Sequence, residues 1–155
     1  MAALAHWAGT GAPFLFYANQ EAGVLIEELL WPGTTLIELF TGGGIDDESA
    51  TRRCAEVMHA LWRPAPPDPH ALITVDSWMA GLAELRLRFS GGTGPFPPRL
   101  VAIAEDLYRS LQSSAAAPVV LHGDLHHGNV LYCAGGDHPG NRPGRDAGWL
   151  AIDPK

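Results

Sequence analysis

Residues 121–131 read LHGDLHHGNVL, and residues 149–155 read WLAIDPK. Both stretches pair a short run of strand-forming residues with a polar segment, and the rest of the chain is organised around them. Val119-Val120-Leu121, Asn129–Cys133 and Trp149–Ile152 are predicted strands, the first two enclosing the loop His122–Asn129. Asp153 falls at the end of the third. Between the last two strands, Ala134–Gly148 is rich in Gly, Pro and Asp and is predicted to be an exposed, mobile loop.

Moving toward the N-terminus, the pair Pro97-Pro98 suits the first turn of a helix that lines up Leu100, Ile103, Leu107 and Leu111. The run Gly91-Gly92-Thr93-Gly94 ends a preceding helix, predicted from about Val75 to Phe89 with Trp78, Leu82, Leu85 and Phe89 on one face. Arg63–His70 holds four prolines and is a linker. Before it, Asp46 and Asp47 stand where a helix N-cap belongs, and Cys54, Val57, Met58 and Leu61 recur at helical spacing. Pro13–Ala18 and Val24–Leu29, joined by a polar turn, predict a hairpin. Trp31-Pro32-Gly33 is a breaker at which the chain leaves the sheet. Strands and helices thus follow one another in blocks, an α+β order.

The loop His122–Asn129 carries the chemistry. Phosphoryl transfer needs a carboxylate that orients the acceptor hydroxyl and takes its proton, together with oxygen ligands for magnesium. Asp124 and Asn129, five positions apart, match the spacing His-x-Asp-x-x-x-x-Asn of the kinase catalytic loop, where the Asp is the base and the Asn holds a metal. Asp153, at a strand end, stands where a protein kinase has the Asp of Asp-Phe-Gly. A lone Asp-x-x-x-x-Asn is weak evidence. The ordered series of strand, His-Gly-Asp loop, strand, hairpin and Ile-Asp-Pro is much stronger.

LHGDLHHGNVL followed by WLAIDPK resembles the aminoglycoside and hydroxyurea antibiotic resistance kinases, within the broader aminoglycoside phosphotransferase group. Upstream, VLIEELLWPGTTL is similar to that family's hinge strand. The resemblance implies a protein-kinase-like fold in which residues 1–30 are a residual small-lobe hairpin and hinge and residues 31–155 the first part of the large lobe. It implies Asp124 as catalytic base, Asn129 and Asp153 as Mg2+ ligands, His122 as support behind the loop, and the backbone of Glu27, Glu28 and Leu29 as the adenine-binding edge. ATP and Mg2+ are the implied cofactors, and a small hydroxyl-bearing compound, streptomycin above all, is the implied acceptor. The family also places a lysine and a Gly-rich loop before the hinge, and further helices after the Ile-Asp-Pro segment. The only lysine here is Lys155, so the chain is expected to be a fragment truncated at both ends and inactive alone.

Composition narrows the alternatives. A net charge of −7 speaks against a nucleic-acid surface, which needs clustered Lys and Arg, and suits a cationic small substrate. No apolar run reaches the ~20 residues that span a bilayer, and the first basic side chain is Arg52, so a membrane segment and a secretory leader are not expected and a cytoplasmic location is. Cys54 and Cys133 then read as reduced thiols. His122, Asp124, His126, His127 and Asp153 also fit a metal-hydrolase cluster, and a non-catalytic kinase-like remnant is a third reading. Gly42-Gly43-Gly44 lacks a phosphate-loop pattern and reads as a turn. Met58, His59, Trp62 and Trp78 read as core or core-edge residues.

Overall fold

In the computed structural model, which describes residues 1–67 and 72–155, the predicted hairpin forms from β1 (Leu15–Asn19) and β2 (Val24–Glu27), antiparallel with Tyr17 opposite Ile26 and Asn19 opposite Val24. The Asn19 carboxamide accepts from the Ala22 N–H at 2.8 Å and closes the turn. Ahead of the hairpin lies a short helix, α1 (Ala2–Trp7), whose Leu4 and Trp7 are buried. The Trp7 indole N–H donates to the Leu61 carbonyl at 2.9 Å, which satisfies the one polar atom of a fully enclosed ring.

The expected break at Trp31-Pro32-Gly33 is corrected by the structure. The chain does leave the hairpin there, but β3 (Pro32–Thr35) joins a second sheet, edge strand to β4 (Val130–Cys133), which pairs in turn with β5 (Gly148–Ala151). A proline is admissible because it opens an edge strand, where its missing N–H leaves no ladder bond unmade. Thr35 then caps α2 (Leu36–Thr41), a helix too short to show a period in the sequence: its hydroxyl accepts from Glu38 N–H at 3.1 Å while the Glu38 carboxylate accepts from Thr35 N–H at 2.8 Å. α3 (Asp47–Leu61) follows, with Asp46 accepting from Ser49 N–H at 2.7 Å as anticipated. Its Ala50, Val57 and Leu61 are buried, and it packs on β5 and on the 3₁₀ turn His127–Asn129.

Two further corrections concern the second half. Val119–Leu121 is not a strand; only Val119 bridges to Pro64, and Val120 N–H donates to Arg63 O at 3.2 Å. The segment 134–147 is not a free loop. Arg145 within it is buried, and Asn141 donates to the Gly135 carbonyl at 3.1 Å.

The chain divides into two compact units, residues 1–66 with 119–155, and residues 67–118. The second contains α4 (Val75–Arg88), close to its predicted limits, and α5 (Pro98–Ser114), which starts at the predicted Pro97-Pro98 pair. Thr74 caps α4 through Ser77 N–H at 3.1 Å, and Pro98 occupies the first turn of α5. An Arg86–Glu105 ion pair at 2.6 Å and a Tyr108–Asp76 hydrogen bond join the two helices. The predicted stripe Leu100, Ile103, Leu107 and Leu111 is formed but stays exposed, as does Trp78, so its core assignment is corrected. Trp62 is also exposed and lies tilted against His59, with ring centroids 4.8 Å apart and planes at 41°. The linker Arg63–His70 ends among residues 68–71, outside the described residues.

Candidate functional site

Three hydrogen bonds lace the loop His122–Asn129 to the segment that leaves β5, and a fourth, from Asp124 N–H to His122, braces the loop from within. His122 Nε2–H donates to the Ile152 carbonyl at 2.9 Å, and its Nδ1 accepts from Asp124 N–H at 3.3 Å. Ile152 N–H donates to Asn129 O at 2.9 Å, and Lys155 N–H to His122 O at 3.0 Å. Both ring nitrogens of His122 are engaged and the ring stacks nearly parallel on Trp7, centroids 6.1 Å apart. Burial pushes the imidazole pKa down, against opposing contributions from the Ile152 carbonyl, Asp124 and Asp153, so the neutral ring is the stable form. Gly123 bridges the crossing point: its φ is +82°, and a Cβ there would sit 3.3 Å from Lys155 Cβ and O.

This lacing sets the oxygen-bearing side chains. Asn129 Nδ2 donates to the Asp124 carbonyl at 3.0 Å, which fixes the amide and turns its oxygen away from the loop backbone. Asp124 and Asn129 are half-buried, while Asp153 is exposed and pairs with the Lys155 ammonium at 2.7 Å. The hydrogen bond and charge of that ammonium lower the Asp153 pKa. Asp124 acts on the same ammonium and helps to raise its pKa, so both carboxylates share one electrostatic neighbourhood. Asp153 also holds φ at +57°, in the left-handed region that L-residues seldom occupy. Glu27, at the end of β2, has its pKa raised first by burial and then by the charge of Asp153.

The structure therefore brings His122, Asp124, Asn129 and Asp153 together. It sends Glu28 elsewhere. The Glu28 carboxylate is buried against Arg145, and the main-chain N–H groups of Glu28 and Leu29 are already donated, to Phe14 O at 2.8 Å and Gly140 O at 3.0 Å. Sequence reasoning missed Arg145, and no local signal marks it, since its partner lies 117 positions away. Trp7, the ring behind His122, was missed for the same reason.

Asn129 Oδ1 and the Asp153 carboxylate are hard oxygen donors of the kind magnesium prefers, and Asp153 already attracts a cation. Zinc is a poor fit. His122 has no free ring nitrogen, His126 Nδ1 accepts from Gly128 N–H at 3.1 Å, and among the described residues no three His, Cys, Asp or Glu side chains gather around one point. Cys54 and Cys133 are free thiols, and no helix among the described residues is long and apolar enough to cross a membrane.

The sequence that forms this site falls in a recognisable family. Residues 1–155 match the aminoglycoside/hydroxyurea antibiotic resistance kinase family over their whole length, and the chain belongs to that family. A streptomycin 3''-kinase from Klebsiella pneumoniae is 32% identical over 153 residues. That match covers 97% of this chain and 48% of the relative, so the chain spans about half the length of that protein. No solved structure matches the chain.

Proposed function

We propose that this chain forms the nucleotide- and metal-binding core of an ATP-dependent phosphotransferase that modifies a hydroxyl group of a small molecule, an aminoglycoside such as streptomycin. The observation that carries the reading is the lacing of His122–Asn129 to Ile152–Lys155, which hangs Asp124, Asn129 and Asp153 from one unit. Membership of a kinase family and the relative's name support the reaction class and the antibiotic acceptor. In this reading residues 1–30 are the end of the small lobe and the hinge of a protein-kinase-like fold, and residues 31–155 begin its large lobe.

Asp124 accepts the proton of the acceptor hydroxyl as that oxygen bonds to the γ-phosphorus and the bond to the β-phosphate's bridging oxygen breaks, releasing ADP. Asn129 and Asp153 hold Mg2+, which when bound supplies positive charge to the phosphate oxygens. His122, neutral and buried, keeps the loop's backbone at a set distance from Ile152 and so fixes Asp124 relative to Asp153. The negative net charge favours approach of a polycationic aminoglycoside.

The test is a mass gain of one phosphate on streptomycin, incubated with the natural protein and MgATP. Asp124→Ala should abolish the gain and leave MgATP affinity within about threefold of the parent, because the base acts on the acceptor. Near-parental turnover by Asp124→Ala would remove Asp124 from this role. A gain on a different hydroxyl compound would move the acceptor and keep the chemistry.

A further inference from the structure

The most heavily satisfied carboxylate in the described residues lies outside the catalytic loop. Glu28 accepts from Phe14 N–H at 3.0 Å, from Arg142 N–H at 2.8 Å, and from both Nε–H (2.7 Å) and Nη2–H of Arg145. Arg145 has a third anchor, donating through Nη1 to the Gly9 carbonyl at 2.9 Å. One buried pair thus ties together three separate stretches: the segment before β1, the end of β2, and the segment between β4 and β5. Burial alone would push the Glu28 pKa up, but the hydrogen bonds from Arg145, Arg142 and Phe14 outweigh it and the pKa is lowered, so the pair is ionised at neutral pH.

The same segment grips the backbone one residue further on. Gly140 O accepts from Leu29 N–H at 3.0 Å, and the approach is so close that a Cβ on Gly140, whose φ is +99°, would lie 2.8 Å from Leu29 Cβ. In a trans peptide the N–H and the preceding carbonyl point in opposite directions within one rigid plane. Drawing Leu29 N–H toward Gly140 therefore aims the Glu28 carbonyl to the opposite side. With the N–H groups of Glu28 and Leu29 both committed within the chain, carbonyl oxygens are what this stretch has left to offer a base.

We propose that Arg145 is a positioning residue for nucleotide binding: through Glu28 and the Gly140–Leu29 contact it holds the backbone at Glu27–Leu29 in the orientation that reads the adenine edge. This inference rests on the nucleotide-binding reading above. It assigns a part in base recognition to the segment 134–147.

The experiment compares binding of MgATP with binding of magnesium triphosphate, which lacks the base, to the 155-residue chain by NMR titration. Arg145→Ala should weaken MgATP about tenfold, the cost of one or two misdirected hydrogen bonds, and leave magnesium triphosphate unchanged. Arg145→Lys keeps the charge without the fork and should weaken MgATP by only about threefold. If Arg145→Ala does not fold, Arg145→Lys and Gly140→Ala carry the test, each expected to change the MgATP value alone. Equal losses for both ligands, or no loss for either, would overturn the inference while leaving the nucleotide reading intact. A parent chain that binds neither ligand would defeat the nucleotide reading itself and the inference with it.

Discussion

The unit made of residues 1–66 and 119–155 and the unit made of residues 67–118 are built by different rules. In the first, several polar groups are buried and answered across long stretches of chain: His122 by Ile152 and Asp124, Glu28 by Arg145, the Trp7 indole by Leu61. In the second, two helices, one capped by Thr74 and one opened by Pro98, meet through Arg86–Glu105 and Asp76–Tyr108, and their apolar stripes stay in solvent. Leu107 and Leu111 are 55% and 66% exposed, whereas Leu4 and Leu61 are at most 2% exposed. Periodicity and caps are enough to specify a helix. They say nothing about what its apolar face will meet.

That contrast predicts a graded response to mutation. The largest effects belong to the first unit. Arg145→Ala leaves the Glu28 carboxylate buried without its partner and should cost about 3–5 kcal/mol in urea unfolding, the range for breaking one side of a buried ion pair. Trp7→Ala should cost a similar ~3–5 kcal/mol, because it empties the space behind His122 and strands the Leu61 carbonyl. A loss under about 0.5 kcal/mol for either would place these residues in the same category as exposed ones and erase the contrast.

An intermediate effect comes from pH. The folded-state pKa of His122 is lowered from 6.5, so the unfolded chain takes up a proton where the native ring does not. Stability from this group is complete above about pH 6.5 and should be lost as pH falls through the lower native pKa, with a slope of at most ~1.4 kcal/mol per pH unit. His122→Asn should remove that slope below about pH 6.5 without altering the response of residues 67–118. An unchanged slope would mean that His122 is not held neutral.

The smallest effects belong to the second unit. Leu107→Ala and Leu111→Ala should change stability by no more than about 0.5 kcal/mol, as for other solvent-facing side chains. Losses in the range of about 2–5 kcal/mol, typical of core leucines, would show that the stripe is covered in solution.

The sequence made the loop His122–Asn129, the Asp153 segment, the N-cap of α3, the limits of α4 and the start of α5 legible, because motif spacing and capping act over a few residues. It did not reveal β3, since Pro-Gly reads as a turn wherever it stands, and an edge strand tolerates it. It did not reveal α2, whose six residues are too few for a period. The ordering of residues 134–147 was invisible for a different reason. Their Gly and Pro content describes local freedom, while Arg145 and Gly140 are restrained by Glu28 and Leu29, over a hundred positions away. Glu28 was read for its backbone alone, and a side chain turned to an ion pair 117 positions away leaves no trace in its neighbours.

The most direct test is one titration: ATP added to the 155-residue chain, its Asp124→Ala variant and its Asp153→Ala variant, each with and without magnesium. The parent and Asp124→Ala should bind MgATP with affinities within about threefold of each other, both dependent on magnesium, while Asp153→Ala should lose at least about tenfold, together with the magnesium dependence. Binding that ignores magnesium, or that survives Asp153→Ala unchanged, would contradict a metal–nucleotide centre built on Asn129 and Asp153.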